Sequence, residues 1–155
     1  MSSVELGKKV NNFQLPSTGD KSLKLNELKG KNIVIYFYPK DNTPGCTKET
    51  EQFGDNINNF SKLNTVILGV SRDSIKSHEK FKDKLDITFD LLSDSEEKLC
   101  QQFDVIKEKH MYGKKVMGVE RSTFLIDAKG VLRKEWRKVK VAGHVEEVLE
   151  AVKEL

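Results

Sequence analysis

Residues 43–46 read Thr-Pro-Gly-Cys and follow directly on the apolar run NIVIYFYP at 32–39. A cysteine that only fills a core has no need of that neighbourhood. Thr43 suits a helix N-cap, Pro44 suits the first helical position because it has no N–H to leave unpaired, and Gly45 lets another group approach the backbone closely. Cys46 then falls in the first turn of a helix. Unpaired N–H groups and the positive end of the helix dipole favour an anion there, so the position predicts a thiol that gives up its proton readily and acts as a nucleophile. A nearby cation would add to this. Arg121, the sole arginine in GVERSTFLID, stands at the start of a strand that could run beside NIVIYFYP.

Such residues need elements to hold them in place. FQLP and SLKL, either side of Ser17-Thr18-Gly19-Asp20, predict a small hairpin, and LNELKG a short helical turn ended by Gly30. NIVIYFYP is continuously apolar, β-branched and aromatic, as expected of a strand covered on both faces. Cys46, Thr50, Phe53, Ile57 and Phe60 recur at helical spacing, which puts Cys46 on the inward face of one helix. TVILGVS at 65–71 reads as a second strand, Ile75, His78 and Phe81 as a helix face, and ITFDLLSD at 87–94 as a third strand. Ser93 and Glu96 have capping-box spacing and predict a helix carrying Leu99, Cys100 and Phe103. STFLID and VLRKEWRKV flank a turn at Asp127–Gly130 and predict a hairpin. Val145, Val148, Leu149, Val152 and Leu155 form the stripe of a closing helix. The alternation predicts an α/β fold with a mixed central sheet flanked by helices.

A chain of 155 residues predicts one domain, 1–155, burying roughly two thirds of its unfolded surface. With 37% hydrophobic and 33% charged residues and no apolar run near the roughly 20 residues of a membrane span, a soluble protein is expected. The stretch MSSVELGKKVNNF lacks the apolar core of a secretory signal, which predicts a cytoplasmic location. The net charge of +3 arises from 27 basic and 24 acidic residues spread along the chain. It gives no directed field for nucleic acid or membrane. KEKHMYGKK, 107–115, reads as a solvated loop. The two cysteines make neither a disulfide scaffold nor a zinc site, and fit a reducing compartment. His78, His110 and His144 have no second ligand or acid nearby in the sequence and read as structural; Glu49 reads either as a partner of a charge near the site or as a solvated helical residue.

The run Pro39-Lys40-Asp41-Asn42-Thr43-Pro44-Gly45-Cys46, with Thr47 and Glu49 following, resembles the active-site signature of the peroxiredoxins, in the bacterioferritin comigratory protein or PrxQ branch. Met117 to Asp127 is similar to that branch's second signature. GVSRDS at 69–74 and LLSD at 91–94 also match, so the likeness covers nearly the whole chain in order. It implies a thioredoxin-like fold and a thiol peroxidase with Cys46 as peroxidatic cysteine. Thr43 would orient the peroxide, Arg121 would hold the sulfur ionised and bind the peroxide oxygens, and Pro39 would shield the site. No metal or organic cofactor is needed. A monomer is implied.

The sulfenic acid formed on Cys46 must be removed by another thiol. Many relatives carry that resolving cysteine five residues after the peroxidatic one, and here Glu51 stands in its place. Cys100, between Leu99 and Phe103, is the one internal alternative, and its neighbours favour a packing role. Direct reduction by glutathione, glutaredoxin or thioredoxin is therefore expected. A dithiol oxidoreductase is disfavoured because C-x-x-C is absent, Thr43 and Glu49 occupying the two possible positions. A peroxide sensor that passes oxidation to a protein partner uses the same first step and stays open, with a chaperone or scaffold role as a weaker third.

Overall fold

The computed structural model describes residues 4–155; residues 1–3, on which the signal-peptide reading partly rests, lie outside the described residues. Two short strands, β1 (Gln14–Ser17) and β2 (Lys21–Lys24), pair antiparallel around a turn at Gly19 and Asp20, and a 3-10 turn covers Leu25–Leu28. Then come β3 (Asn32–Phe37), α1 (Pro44–Asp55), α2 (Ile57–Lys62), β4 (Thr65–Ser71), α3 (Ile75–Leu85), β5 (Asp90–Ser93) and α4 (Lys98–Gln102). A hairpin of β6 (Ile106–Met111) and β7 (Lys114–Val119), the strands β8 (Ser122–Ile126) and β9 (Leu132–Trp136), and α5 (His144–Lys153) complete the chain.

Seven strands form one mixed sheet in the order β2-β1-β5-β4-β3-β8-β9. β3, β4 and β5 run parallel, while β8 lies antiparallel to β3 with Ser122 opposite Phe37. The β3 residues alternate between two cores. Val34 and Tyr36 join one cluster, and Ile33, Ile35 and Phe37 join the other. The two connections between parallel neighbours step in the same direction across the sheet, so right-handed crossovers put their helices on one face. Phe53, Phe60 and Phe81, from α1, α2 and α3, accordingly share a cluster with Val145, Val148 and Val152 of α5. Each fully buried phenylalanine contributes roughly 1.5–3 kcal/mol relative to exposure, enough to dock its helix. Gly69 of β4 lies opposite Tyr36, and a Cβ there would stand 2.7 Å from the Tyr36 hydroxyl, so this position has room only for glycine.

Four local expectations change. The helix expected through Phe60 breaks at Asn56 into α1 and α2. Ser93 caps nothing: it ends β5 and its hydroxyl donates to the Asp73 carbonyl at 2.6 Å. Asp94 instead accepts from the Leu99 and Cys100 N–H groups at 3.2 and 2.7 Å, and α4 begins at Lys98. KEKHMYGKK is not a loop but the outer part of the β6–β7 hairpin, because Tyr112 (φ 53°) and Gly113 (φ 77°) make a tight turn that lets the flanking residues pair. β5 and β9 are also shorter than the stretches 87–94 and 131–139 expected to form them.

Candidate active site

The site lies where the parallel strands end, because the chain leaves β3 at Phe37 and enters α1 at Pro44. Thr43 is extended (φ −89°, ψ 152°) at the N-cap position, and its carbonyl accepts the first helical bond from the Thr47 N–H at 2.9 Å. The Gly45 and Cys46 N–H groups thus have no intrahelical acceptor. The Thr43 hydroxyl does not cap the helix: it donates to the Lys40 carbonyl at 2.8 Å, so its lone pairs are what it offers to the site. Cys46 faces inward and is 1% exposed. Pro39 is half-buried at the start of the loop.

Arg121 precedes β8, and the antiparallel pairing with β3 brings it to this end of the sheet. One arm of its guanidinium, Nη2, lies 3.4 Å from Cys46 Sγ, while Nη1 donates to Glu49 Oε1 at 2.8 Å. A Cβ on Gly45 would stand 3.1 Å from Nη2, so the glycine makes room for the guanidinium. Glu120, adjacent in sequence, is not its partner. Glu49 was the residue that sequence left undecided; it is fully buried, and its second oxygen, Oε2, has no hydrogen-bond partner. Burial pushes the Glu49 carboxyl up to about 7, and Arg121 offsets this only in part. Burial works against the Arg121 charge as well, but Glu49 and Cys46 outweigh it and hold the guanidinium above its ordinary value.

Beneath the first turn of α1, the Tyr36 hydroxyl meets Thr50 Oγ1 at 3.0 Å, and its ring stacks on Phe53 with centroids 4.5 Å apart. Burial raises the Tyr36 phenol well above its ordinary range, so it stays a neutral hydrogen-bonding group. His144, at the start of α5, is buried with Nε2 2.8 Å from Thr123 Oγ1, and burial lowers it to about 4. His78 has an acid beside it after all: Asp41 Oδ2 lies 2.8 Å from its Nδ1. The two residues are far apart in sequence, so no local spacing could have revealed the pair.

Cys100 stands apart from all of this. Cys46 belongs to the cluster under α1, α2, α3 and α5, and Cys100 to the cluster on the other face of the sheet with Leu99, Phe103 and Phe124. Burial, then Asp94, raises the Cys100 thiol far above its ordinary value. Both cysteines are free. A cavity of about 710 Å³ is lined by Leu25, Leu28, Ile33 and Val131, at the end of β3 away from Cys46. The cysteine site is small by comparison: a sulfur, two helical N–H groups without intrahelical acceptors and a guanidinium have room for a small, polar electrophile.

A sequence profile of the AhpC/TSA family matches residues 6–135. Peroxiredoxin Bcp of Bacillus subtilis is 51% identical over 153 residues, covering 99% of this chain and 98% of the relative. Among solved structures, that of a PrxQ cysteine-to-serine variant from Xylella fastidiosa has a TM-score of 0.93 at 46% identity, covering 99% of this chain and 98% of the other. The Xanthomonas campestris bacterioferritin comigratory protein, whose structures were described for its alkyl peroxide reduction activity, has a TM-score of 0.90 at 49% identity, with 99% and 98% covered.

Proposed function

The chain belongs to the AhpC/TSA family, in its Bcp or PrxQ branch of thiol-dependent peroxidases, and from that premise we propose that Cys46 is the nucleophile that reduces hydrogen peroxide and small organic hydroperoxides. The sulfur attacks the terminal peroxide oxygen in line with the O–O bond. An S–O bond forms as the O–O bond breaks, and the leaving oxygen takes the electron pair and a proton to become water or an alcohol. Sulfur is oxidised by two electrons and becomes a sulfenic acid. Arg121 supports the reading because one guanidinium faces the sulfur and can follow charge as it moves onto the peroxide oxygens. Thr43, with its hydrogen committed to Lys40, accepts from the hydroperoxide O–H, and the Cys46 N–H donates to the peroxide. Pro39 shields the loop. Holding sulfur and oxygen in line is worth several kcal/mol of barrier, on the order of 7–11 at best.

An external thiol then attacks the Cys46 sulfur and water leaves, giving a mixed disulfide; a second thiol displaces Cys46 and restores it. Glutathione, glutaredoxin or thioredoxin supplies these thiols, and Cys100 only packs. The same reading takes residues 1–155 as a single domain, acting as a monomer in the cytoplasm. Among the described residues, no helix is long and apolar enough to cross a membrane.

The observation that carries the reading is the Cys46 sulfur at a helix start, 3.4 Å from the Arg121 guanidinium. Steady-state peroxide consumption with each reductant tests it. Cys46→Ala is expected to lose turnover completely, and consumption at the unmodified rate would refute the assignment. A sensor would instead show one burst and a stable mixed disulfide with a protein partner.

A further inference from the structure

The loop that leads into α1 is held from a second side by groups that never touch peroxide. Asp41, five residues before Cys46, is only 4% exposed although it lies in a loop. Its Oδ1 accepts from the Tyr38 hydroxyl at 2.7 Å, and its Oδ2 accepts from the Ser77 hydroxyl at 2.8 Å and meets His78 Nδ1 at 2.8 Å. Its backbone N–H donates to Asp73 Oδ2 at 2.9 Å. His78 is fully buried on α3, and its Nε2 lies 2.9 Å from the Leu92 carbonyl on β5, which can only accept. Both ring nitrogens therefore face oxygen atoms that can accept a hydrogen bond.

This arrangement ties residues 38–43 to α3 and β5. Within the loop, Asn42 takes φ 63°, a left-handed conformation that asparagine tolerates, and its Oδ1 accepts from Lys84 Nζ of α3 at 3.3 Å. The first turns of α1 are tied in addition by Arg121 to Cys46 and Glu49, and by Tyr36 to Thr50.

The two halves of the reaction make opposite demands on the loop. Attack on peroxide needs Thr43, Cys46 and Arg121 in register, and a peroxide is small enough to meet an almost enclosed sulfur. An external thiol is larger, the sulfur is 1% exposed, and Cys100 lies across the sheet. We propose that His78 is a positioning residue that, through Asp41, latches the Cys46 loop in the geometry for peroxide attack. The proposal rests on Cys46 being the nucleophile.

Rapid mixing of each half-reaction, Cys46 oxidation by hydrogen peroxide and re-reduction by glutathione, tests it. In His78→Gln the amide can replace Nε2 toward Leu92 but not Nδ1 toward Asp41. Oxidation is expected to slow about tenfold or more, with re-reduction no slower than in the unmodified protein. His78→Asn can replace Nδ1 and recovers part of the oxidation rate. Leu85→Ala, at the far end of α3, loosens the helix away from Asp41 and Tyr38 and shows no such split. If His78→Gln does not fold, Ser77→Ala, which removes one donor from the same carboxylate, must show the split in smaller measure. The latch is overturned if oxidation is unchanged in the Asp41-bond variants, if both half-reactions fall together, if His78→Asn recovers nothing, or if Leu85→Ala reproduces the split. Cys46→Ala separates the two claims. Activity in that variant removes the nucleophile assignment, whereas an inactive Cys46→Ala beside an unsplit His78→Gln removes only the latch.

Discussion

Arg121 and Glu49 show how one charge serves two neighbours. The guanidinium divides its donors between a carboxyl and a sulfur, so its planar fork matters as well as its charge. Arg121→Lys keeps the charge but loses the fork, and the rate of Cys46 oxidation by peroxide, followed by rapid mixing at pH 7, should fall about 100-fold. Glu49 supplies a pH signature. Its carboxyl moves from 4.5 to about 7 on folding because of burial. Between those values the folded chain holds a proton that the unfolded chain has released, so this group's contribution falls as pH rises, and the penalty is complete above about pH 7. The shift corresponds to about 3 kcal/mol. Glu49→Gln carries no such penalty. Thermal melts at pH 5 and pH 8 should therefore show the unmodified protein losing Tm relative to Glu49→Gln as pH rises, and a pH-independent difference would show that the carboxyl is ionised throughout.

At the level of elements, the helix starts set the geometry around Cys46 and some of the stability. Thr43, Pro44 and Gly45 were legible as a helix start, but only the folded loop turns the Thr43 hydroxyl toward Lys40. The opening of α4 was misplaced because Ser93 and Glu96 have the spacing of a capping box, whereas Ser93 is still bound into the sheet and Asp94 does the capping. Asp94→Ala should cost about 1–2 kcal/mol in urea unfolding and speed hydrogen exchange at Leu99 and Cys100 more than in α5. The Asp41 loop gives a second pH effect, of opposite sign to that of Glu49. Burial raises the Asp41 carboxyl, but the bonds from His78, Tyr38 and Ser77 outweigh it and hold it below the usual carboxylate range. Its contribution is present above the ordinary carboxylate value and is lost as pH falls through the lower folded value. Acid titration should release the loop, seen as faster proteolysis between Tyr38 and Cys46, and Asp41→Asn should abolish that dependence.

Across the whole molecule, the sheet acts as a partition between the two sulfurs. Cys46 and Cys100 lie in separate cores, so a bond between them would require the sheet or its helices to come apart. Mass spectrometry after one equivalent of peroxide should find sulfenic acid or a glutathione adduct on Cys46 and no Cys46–Cys100 disulfide. Cys100→Ser should retain turnover with an external thiol within about twofold, as expected for two sites too far apart to couple. A disulfide, or loss of turnover in Cys100→Ser, would reassign Cys100 as the resolving residue.

The strand NIVIYF, the helix start at Thr43-Pro44-Gly45-Cys46 and the stripe of α5 could be read from sequence because each depends on contacts or periodicities a few residues long. The β6–β7 hairpin could not, since its charged strands lack the alternation that marks a half-buried strand and only their mutual pairing defines them. Nor could the pairing of Arg121 with Glu49, of Asp41 with His78, or the side of the sheet on which Cys100 falls. Those depend on strand order and on which helix crosses which face, and chain topology alone brings such distant residues together.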